Sequence, residues 1–425
     1  MRRGRSDVLP TEGGHGEVGV EENRGLSGRR YTRRHPATND RKISLPSTTI
    51  LCISFSPIHA DSRVLRQIEV LQQHGDVTTV GYGPAPDGVA RHIQIPEAAS
   101  SLPETPLGVL KLAMHLHKSV ELTAPGERAV LQEVVGSLPY DLVVANDARA
   151  FPLAFAASGS APVYADMHEW APEERATVFI WRVLVGPYME HLCRTYLPRT
   201  AAVTSVSAGL AGLYADKYGV STEIVRNSAS LRNLKPTPID PTVIRLVHSG
   251  TADAERNIIE LIDAVDRLDD RFSLDLYLLR VPGGHLDEIC KRAASSPRVT
   301  VHDPVPPETL PDVLNQYDLG VFLYPLKTMS HLYHLPNKFF DFVQARLGLV
   351  FSPAPEINAY IAEYGLGIVT ADPTADALVD SLRAITAGDV AGFKEAADRA
   401  ARALSNDTDR ATQDAVVRRL LAGDR

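Results

Sequence analysis

The chain has 425 residues, 44% of them apolar, and a formal net charge of −8. This length and apolar content predict two or three domains, each with its own core, and the negative charge argues against a nucleic-acid-binding protein. Three widely spaced cysteines exclude a disulfide framework and a cysteine metal motif, which fits a reducing cytoplasm. No run of about 18 apolar residues is present, so no membrane-spanning helix is expected.

The first 46 residues differ from the rest of the chain. They carry ten Lys or Arg and six Asp or Glu, with many glycines and little apolar periodicity. This composition predicts a disordered basic tail over residues 1–46. The tail lacks the apolar core of a secretory signal, and its acidic residues argue against a transit peptide. The chain beyond the tail has a net charge near −12.

An N-terminal Rossmann-like domain is predicted over residues 47–227. A strand over Thr48–Ser56, a helix over Asp61–His74 and a strand over Val77–Tyr82 form a βαβ unit, which is typical of a parallel sheet. The patterns that follow predict helices over Leu107–Leu122, Gly126–Gly136, Ala150–Ala157 and Ala208–Tyr218, and strands over Leu142–Ala145, Pro162–Asp166, Ala201–Val206 and Glu223–Arg226.

Four polar residues stand at the ends of two of these strands. Asp147 follows one strand, and Asp166, His168 and Glu169 end the next. Ligands of open α/β sheets bind beyond the carboxyl ends of the strands, so all four are candidate site residues. Ordinary structural roles remain open for each: a helix N-cap for Asp147, turns or arginine partners for Asp166 and Glu169, and a hydrogen-bonded loop histidine for His168.

Residues 174–197 show a long helical pattern crowded with apolar side chains, including Trp181 and Val185. Core packing is the first interpretation. The alternative is a patch that contacts a membrane peripherally, because Arg175, Arg182, Arg194 and Arg199 flank the apolar residues.

The second half repeats the alternation after a proline-containing linker over Asn227–Pro241. It predicts a C-terminal domain over residues 242–409, with a last helix over residues 410–425 that could cross back to the N-terminal domain. Strands are predicted over Val243–His248, Leu274–Leu279, Val299–Val301, Leu319–Tyr324, Leu347–Ser352 and Gly367–Thr370, and helices over Ile258–Leu268, Leu286–Ala294, Pro307–Tyr317, Glu356–Tyr364, Ala375–Ala387 and Ala391–Leu404. Two such domains would face each other across a cleft.

One helix in this half combines two chemistries. It is predicted to begin at Pro336 and to run to about Arg346. Lys338 and Asp341 are three residues apart and share one face. A helix N-terminus with a lysine can bind a phosphate, and the carboxylate can accept hydrogen bonds from sugar hydroxyls. The alternative is an ordinary ion pair on a solvated helix face.

Several common site motifs are absent from the sequence. There is no Gly-x-Gly-x-x-Gly after the first strand, no P-loop, no Gly-x-Ser-x-Gly and no His/Cys cluster with metal-ligand spacing. His331 and His334 lie three apart without an acidic or cysteine partner in the adjacent loop, so no metal site is predicted there.

Taken together, four segments between Thr48 and Asp409 resemble a known family. The chain is similar to retaining glycosyltransferases of the GT-B fold, in the glycosyltransferase-four group, which have two Rossmann-like domains facing each other across a cleft. The resembling segments are Asp61 to Arg66, Tyr140 to Asp147, Tyr164 to Glu169, and Leu335 to Phe342, whose Pro-Asn-Lys-x-x-Asp is similar to the family's donor motif. Ser249-Gly250 and Arg256-Asn257 also resemble the pattern that opens the family's donor domain.

The resemblance implies a function and roles for individual residues. The function is transfer of a sugar from a nucleotide-diphosphate sugar to an acceptor hydroxyl on a glycan, a lipid-linked molecule or a small molecule, with retention and without a metal or other cofactor. Arg256 and Lys338 would neutralise the donor diphosphate, and His168 would lie beneath the donor sugar. The other implied donor-binding residues are Gly250, Asn257, Pro336, Asn337 and Asp341, and the acceptor-side residues are Asp147, Asp166 and Glu169.

The sequence also departs from the family. Asp341 stands where a glutamate is usual, and the first acidic residue of the family's paired-glutamate motif is replaced by Tyr333. Two alternatives therefore stay open: a nucleotide-sugar epimerase of the same fold, and a non-catalytic homologue acting as a partner subunit. The expected location is the cytoplasm, with peripheral contact at the inner face of the membrane as a further alternative.

Overall fold

The computed structural model describes residues 47–137, 139–333 and 335–423, except for the side chain of Glu255. These residues belong to one compact unit that contains two parallel β-sheets flanked by helices. The predicted α/β class with two Rossmann-like halves is confirmed. The predicted tail over residues 1–46 lies outside the described residues, as does His334.

The first sheet has seven parallel strands. They are β1 Thr49–Pro57, β2 Asp76–Tyr82, β3 Arg91–Ile95, β4 Leu142–Asn146, β5 Val163–Met167, β6 Ala202–Ser205 and β7 Glu223–Ile224. Their spatial order is β3-β2-β1-β4-β5-β6-β7. The central strands β4 and β5 are buried along their whole length, as expected for parallel strands covered by helices on both faces.

The second sheet has six parallel strands. They are β8 Ile244–Thr251, β9 Phe272–Leu279, β10 Val299–His302, β11 Leu319–Phe322, β12 Gly348–Phe351 and β13 Gly367–Val369. Their order is β10-β9-β8-β11-β12-β13. In both sheets the order reverses next to the first strand, between β1 and β4 and between β8 and β11. A reversal of this kind opens a crevice beyond the strand ends.

Fifteen α-helices lie among the described residues. They are α1 Ser62–Leu71, α2 Pro106–Ala113, α3 Pro125–Gly136, α4 Phe151–Ser158, α5 Gly186–Tyr196, α6 Ala208–Tyr218, α7 Ile258–Arg267, α8 Leu286–Ala293, α9 Leu310–Leu314, α10 Met329–Leu332, α11 Asn337–Gln344, α12 Pro355–Tyr364, α13 Ala375–Arg383, α14 Ala387–Ala400 and α15 Asn406–Leu421. None of the helices in the described part of the chain is long and apolar enough to cross a bilayer.

The predicted long helix over residues 174–197 was wrong in form. A π-helical turn over Trp181–Val185 precedes α5, which begins at Gly186. Pro187 has no N–H to donate to the carbonyl four residues back, so the α-helical ladder is interrupted here. The turn buries Trp181 and Val185, whereas Phe179 and its neighbours remain exposed.

Two further differences have local causes. Strand β3 lies where a loop was expected, because its five residues alternate between exposed and buried positions too briefly to form a clear pattern. The helix predicted over Leu107–Leu122 is shorter: α2 ends at Ala113, and His115 and Leu122 adopt positive φ angles that are incompatible with a continuous helix.

The C-terminal helix packs against the first sheet. Val416, Val417 and Leu420 of α15 share a buried cluster with residues of β1 and α1. At the start of the helix, Asp409 accepts hydrogen bonds from the backbone and guanidinium of Arg226 at 3.0 and 2.9 Å. The end of the chain therefore links the two halves.

A second link lies beside the cleft, around α10. The Trp170 N–H donates to the hydroxyl of Ser330 at 3.1 Å. The Tyr333 ring occupies the space where a side chain at Gly209 would lie. Glu356, on α12, accepts a hydrogen bond from the Gly209 N–H at the start of α6. The second-sheet half thus reaches across and packs on the first-sheet half.

Candidate functional site

A cavity of about 450 Å³ lies at the crevice between the two sheets. The first-sheet half and the second-sheet half both contribute to its wall. The wall includes His168, Glu169, Glu174, Arg256, Asn337 and Lys338. The structure therefore brings together residues that were predicted as two separate groups, because the strand ends of both sheets face this crevice.

Lys338 lies in the first turn of α11 and extends towards the end of β8. Its Nζ atom is 4.3 Å from the centroid of the Phe322 ring, the last residue of β11. A Cβ atom at Gly250 would be 3.1 Å from the same Nζ, and Gly250 has a φ of 142°. Only glycine adopts this φ without strain and leaves the space that the ammonium uses.

Arg256 approaches the same aromatic surface from another direction. Its guanidinium carbon lies 4.9 Å from the centroid of Tyr324 and 5.8 Å from that of Phe322. Among the described side chains, neither Arg256 nor Lys338 forms an ion pair. Burial and the nearby Arg256 lower the pKa of Lys338 to about 7, with Asp341 acting in the opposite direction. Two cations thus converge, and no carboxylate of a described side chain forms an ion pair with either of them.

Asp341 lies one turn further along α11 and borders an adjoining cavity of about 610 Å³. This cavity is also lined by Arg66, Arg232 and Asn337, and Asn337 contributes to both cavities. Burial raises the pKa of Asp341 to about 6, although Lys338 and the two arginines favour its charged form. One helix therefore presents a cation to one cavity and a carboxyl group to the next.

His168 lies on the opposite wall, just beyond β5. Its backbone N–H donates to Asp147 Oδ1 at 2.9 Å, and its Nδ1 lies 3.3 Å from Asp147 Oδ2. Its Nε2 lies 3.1 Å from Asn146 Oδ1 and 3.3 Å from Asp166 Oδ2. Burial disfavours the imidazolium, but Asp147 and Asp166 outweigh it and raise the pKa of His168. Both ring nitrogens of His168 thus lie next to polar side chains that fix the orientation of the imidazole.

Asp166 does not reach the cavity. It is fully buried and accepts hydrogen bonds from Arg63 Nε at 3.0 Å and Arg63 NH2 at 2.6 Å. Gln67 and Thr204 donate to the same carboxylate at 3.1 and 2.7 Å. The arginine holds the pKa of Asp166 well below its usual range despite burial. The assignment of Asp166 to the acceptor side stays a prediction; the structure shows the arginine partner that the sequence also left open, and places the carboxylate next to His168.

Two glutamates line the acceptor-side wall. Glu169 lines the cavity. Desolvation of its carboxyl group raises the pKa to about 7, although a hydrogen bond from Ser330 acts in the opposite direction. Glu174 lies 3.4 Å from Arg149, and desolvation raises its pKa. This wall carries carboxyl groups and few free positive charges.

Asn257 lies away from this cavity. It has a left-handed φ of 48°, precedes α7, and its side-chain amide donates to the Pro373 carbonyl at 3.0 Å. Pro336 is the N-cap residue of α11 and lines the cavity. Asp147 contributes through His168 and does not belong to the wall. No group of three or more potential metal ligands is found within the described ranges.

The sequence-based prediction missed several wall residues. Arg63 was quoted only for its place in a motif, and its partner Asp166 is 103 residues away. Asn227 donates to Asn337 at 2.7 Å across the cleft. The ring of Tyr324 packs against the guanidinium group of Arg256. Only the Asp61-Ser62-Arg63 motif marked any of these in advance; the others depend on long-range packing.

No family model matches the sequence, and no curated protein matches it. Solved structures do match its fold. A sucrose-phosphate synthase from Thermosynechococcus elongatus superposes with a TM-score of 0.64 at 15% identity, covering 88% of this chain and all of the other. A glycosyltransferase from Rickettsia africae gives 0.61 at 11% identity, covering 89% and 99%.

A third similar structure contains ligands. The HepE protein of Anabaena, in complex with UDP and glucose, has a TM-score of 0.59 at 13% identity, covering 86% of this chain and 98% of the other. At these identities the similarity concerns architecture. Two parallel sheets with facing strand ends, matched over almost the whole length of such proteins, show that the chain has the GT-B fold of these glycosyltransferases.

Proposed function

We propose that this protein is a glycosyltransferase that moves a sugar from a nucleotide-diphosphate sugar to an acceptor hydroxyl. One observation carries the proposal. Arg256 and Lys338 converge, without a neutralising partner among the described residues, on the wall opposite His168. Two such cations are an unfavourable arrangement in an empty site, and a diphosphate would relieve it.

The donor would extend along α11. Its diphosphate would lie against Lys338 and Arg256, beside the glycine at position 250 that leaves the phosphate side open. Its ribose hydroxyls would donate to Asp341 in the adjoining cavity. The nucleoside would then occupy that cavity, and the sugar would point across the cleft to His168. Lys338 and Asp341 lie three residues apart on α11, so one bound nucleotide could contact both.

The charge arrangement favours bond cleavage. As the bond from the anomeric carbon to the phosphate oxygen breaks, negative charge grows on the leaving diphosphate. Arg256 and Lys338 would stabilise that charge more in the transition state than in the bound donor. We propose that these two side chains take the place of a metal ion in this role.

The configuration at the anomeric carbon would be retained because the acceptor attacks the face of the sugar from which the diphosphate departs. The acceptor oxygen forms a bond to the anomeric carbon as the bond to phosphate breaks. The proton of the acceptor hydroxyl passes to the departing phosphate oxygen, so no side chain needs to act as a base. Glu169 and Glu174 would orient the acceptor, and Asp147 would act by holding His168.

The proposal is tested by binding of nucleotide sugars to the full chain. A thermal-shift screen would identify the donor, because a ligand that binds only the folded state raises the unfolding temperature. Lys338→Ala should strongly reduce the shift at the same ligand concentration. Lys291→Ala, which changes an exposed lysine on α8 that lines neither cavity, should retain it. If Lys338→Ala binds as tightly as wild type, the site assignment is wrong.

The two alternatives have less support. An epimerase needs several carboxyl groups around the sugar, and Asp166 is buried against Arg63. Product analysis without an acceptor would identify it, because an epimerase converts the donor alone. A non-catalytic subunit predicts binding without turnover for every donor and acceptor tried.

A further inference from the structure

The surface of the first-sheet half carries an unusual concentration of exposed apolar side chains. Among the described residues, nine of the thirteen large apolar side chains that are exposed belong to two short segments. We call these nine residues the apolar patch: Leu107, Val109, Leu110, Met114, Leu116, Val178, Phe179, Ile180 and Val183. Single exposed apolar residues are normal, but a cluster indicates an interaction surface.

The two segments form one surface. Helix α2, which carries Leu107, Val109 and Leu110, packs against the π-helical turn, which carries Val183. Beneath them, Leu112 and Trp181 are buried at 4% and 6% exposure and anchor both segments to the core. Phe179 and Ile180 stand out furthest, at 67% and 66% exposure. The apolar patch is thus held on a fixed base.

Charge distinguishes the apolar patch from the rest of the protein. Residues 105–119 and 175–189 contain no Asp or Glu, although the whole chain has a net charge of −8. They contain Lys111, Lys118, Arg175 and Arg182. Lys118 pairs with the nearly buried Glu121, and Arg182 lies 5.6 Å from the Phe179 ring. Cations therefore border the apolar side chains, and the acids nearest in sequence, among them the exposed Glu104, lie just outside these two stretches.

We propose that the apolar patch docks on an anionic lipid bilayer surface. Protruding apolar side chains enter the boundary between headgroups and acyl chains, and bordering Lys and Arg contact the anionic headgroups. An acidic protein would otherwise be repelled by such a surface, so local absence of acids is what docking requires. The protein then lies on the membrane without crossing it.

The position of the apolar patch gives docking a consequence. Glu174 lines the cavity between the sheets, and Arg175 begins the second segment. A docked protein would hold the acceptor-side wall of that cavity close to the membrane. This consequence rests on the proposed function, but membrane docking itself does not.

Co-sedimentation of the full chain with vesicles tests the proposal. Wild type should pellet with vesicles of phosphatidylglycerol and phosphatidylcholine, and about tenfold less with phosphatidylcholine alone. Phe179→Ser with Ile180→Ser, and separately Lys111→Glu with Arg182→Glu, should each lower partitioning about tenfold. Leu279→Ser, which removes an apolar side chain 49% exposed on the second-sheet half, should bind like wild type.

Two measurements distinguish a lipid bilayer from a second copy of the chain as the partner of the apolar patch. A Phe179→Trp variant should show a blue-shifted emission with anionic vesicles and quenching by brominated lipid. Light scattering after size exclusion should give the same mass for wild type and the serine pair. Equal binding by all variants, or absence of wild type from the pellet, overturns the proposal. Self-association abolished by the serine pair, without vesicle binding, would assign the apolar patch to a second copy.

Discussion

The two walls of the cavity differ in whether their charged side chains have partners within the protein. Directly behind the first-sheet wall, charges are paired within the protein: Asp166 is paired with Arg63, and His168 lies between Asp147 and Asp166. On the second-sheet wall, Arg256 and Lys338 face aromatic rings, with no ion pair among the described residues. The charges behind the first wall therefore have partners without a ligand, whereas the cations of the second wall are suited to bind an anion.

This difference separates stability from binding. A buried pair that loses one member leaves an uncompensated charge, which destabilises the fold. A cation held beside a second cation opposes folding, so the removal of one of them should not destabilise the protein. The predictions below use this contrast, beginning with the largest effect.

Arg63→Ala should lower the free energy of unfolding by about 3–5 kcal/mol, because it leaves the Asp166 carboxylate buried without its cation. Urea denaturation followed by circular dichroism measures this. The exposed pair of Arg280 and Asp287 provides a control, since Arg280→Ala should leave the free energy of unfolding nearly unchanged. Similar losses for the two variants would mean that the first wall does not depend on its buried pair.

Lys338→Ala should weaken nucleotide-sugar binding by about 1.5–3 kcal/mol, the usual contribution of a hydrogen bond to a charged group, while the free energy of unfolding stays the same or rises. Titration calorimetry and urea denaturation give the two values. A variant that loses stability as well as affinity would show that Lys338 also supports the fold.

Nucleotide-sugar affinity should fall as the pH rises above 7. Burial and Arg256 lower the pKa of Lys338 to about 7 in the free protein, and a bound diphosphate favours the protonated form. Binding therefore takes up a proton above this pH, and affinity should fall by up to about tenfold per pH unit. Lys338→Arg keeps its charge and should remove most of the dependence. A flat wild-type profile would contradict the assignment.

Gly250→Ala should weaken nucleotide-sugar binding by about 1 kcal/mol and destabilise the fold by a similar amount, because alanine is strained at this φ and its Cβ would crowd Lys338. Gly212→Ala, in the middle of α6 with no heavy atom within 4 Å of its Cβ, should instead stabilise by about 0.5–1 kcal/mol. The two variants compare an alanine at a conformationally special glycine with one at an ordinary helical glycine.

The sequence predicted those parts of the fold that have a local pattern. Apolar runs such as Leu142–Ala145 and Leu319–Tyr324 became central strands, because a strand buried on both faces must be apolar at consecutive positions. Strand β3 failed this test, since its alternation covers only five residues. The π-helical turn before α5 depends on one proline whose effect extends beyond its own position.

The candidate site was predictable only one wall at a time. Lys338 and Asp341 share a helical turn, so their spacing placed them together in advance. Arg63 and Asp166 are 103 residues apart, and nothing local distinguishes a surface aspartate from one that is fully buried. Trp181 and Val185 were assigned first to core packing, with a membrane-facing patch as the alternative, because apolar composition alone does not distinguish the two; the structure buries both side chains.

Gly209 has a consequence for the movement of ligands. The Tyr333 ring fills the place of its missing side chain, and Glu356 binds its backbone N–H. A hydrogen atom in place of a methyl group therefore allows the two halves to approach this closely at α6. Any larger residue would push the Tyr333 ring away from α6. A movement that separated the two halves at this point would have to break this contact. The timing of entry and exit would then depend on a contact that touches neither substrate.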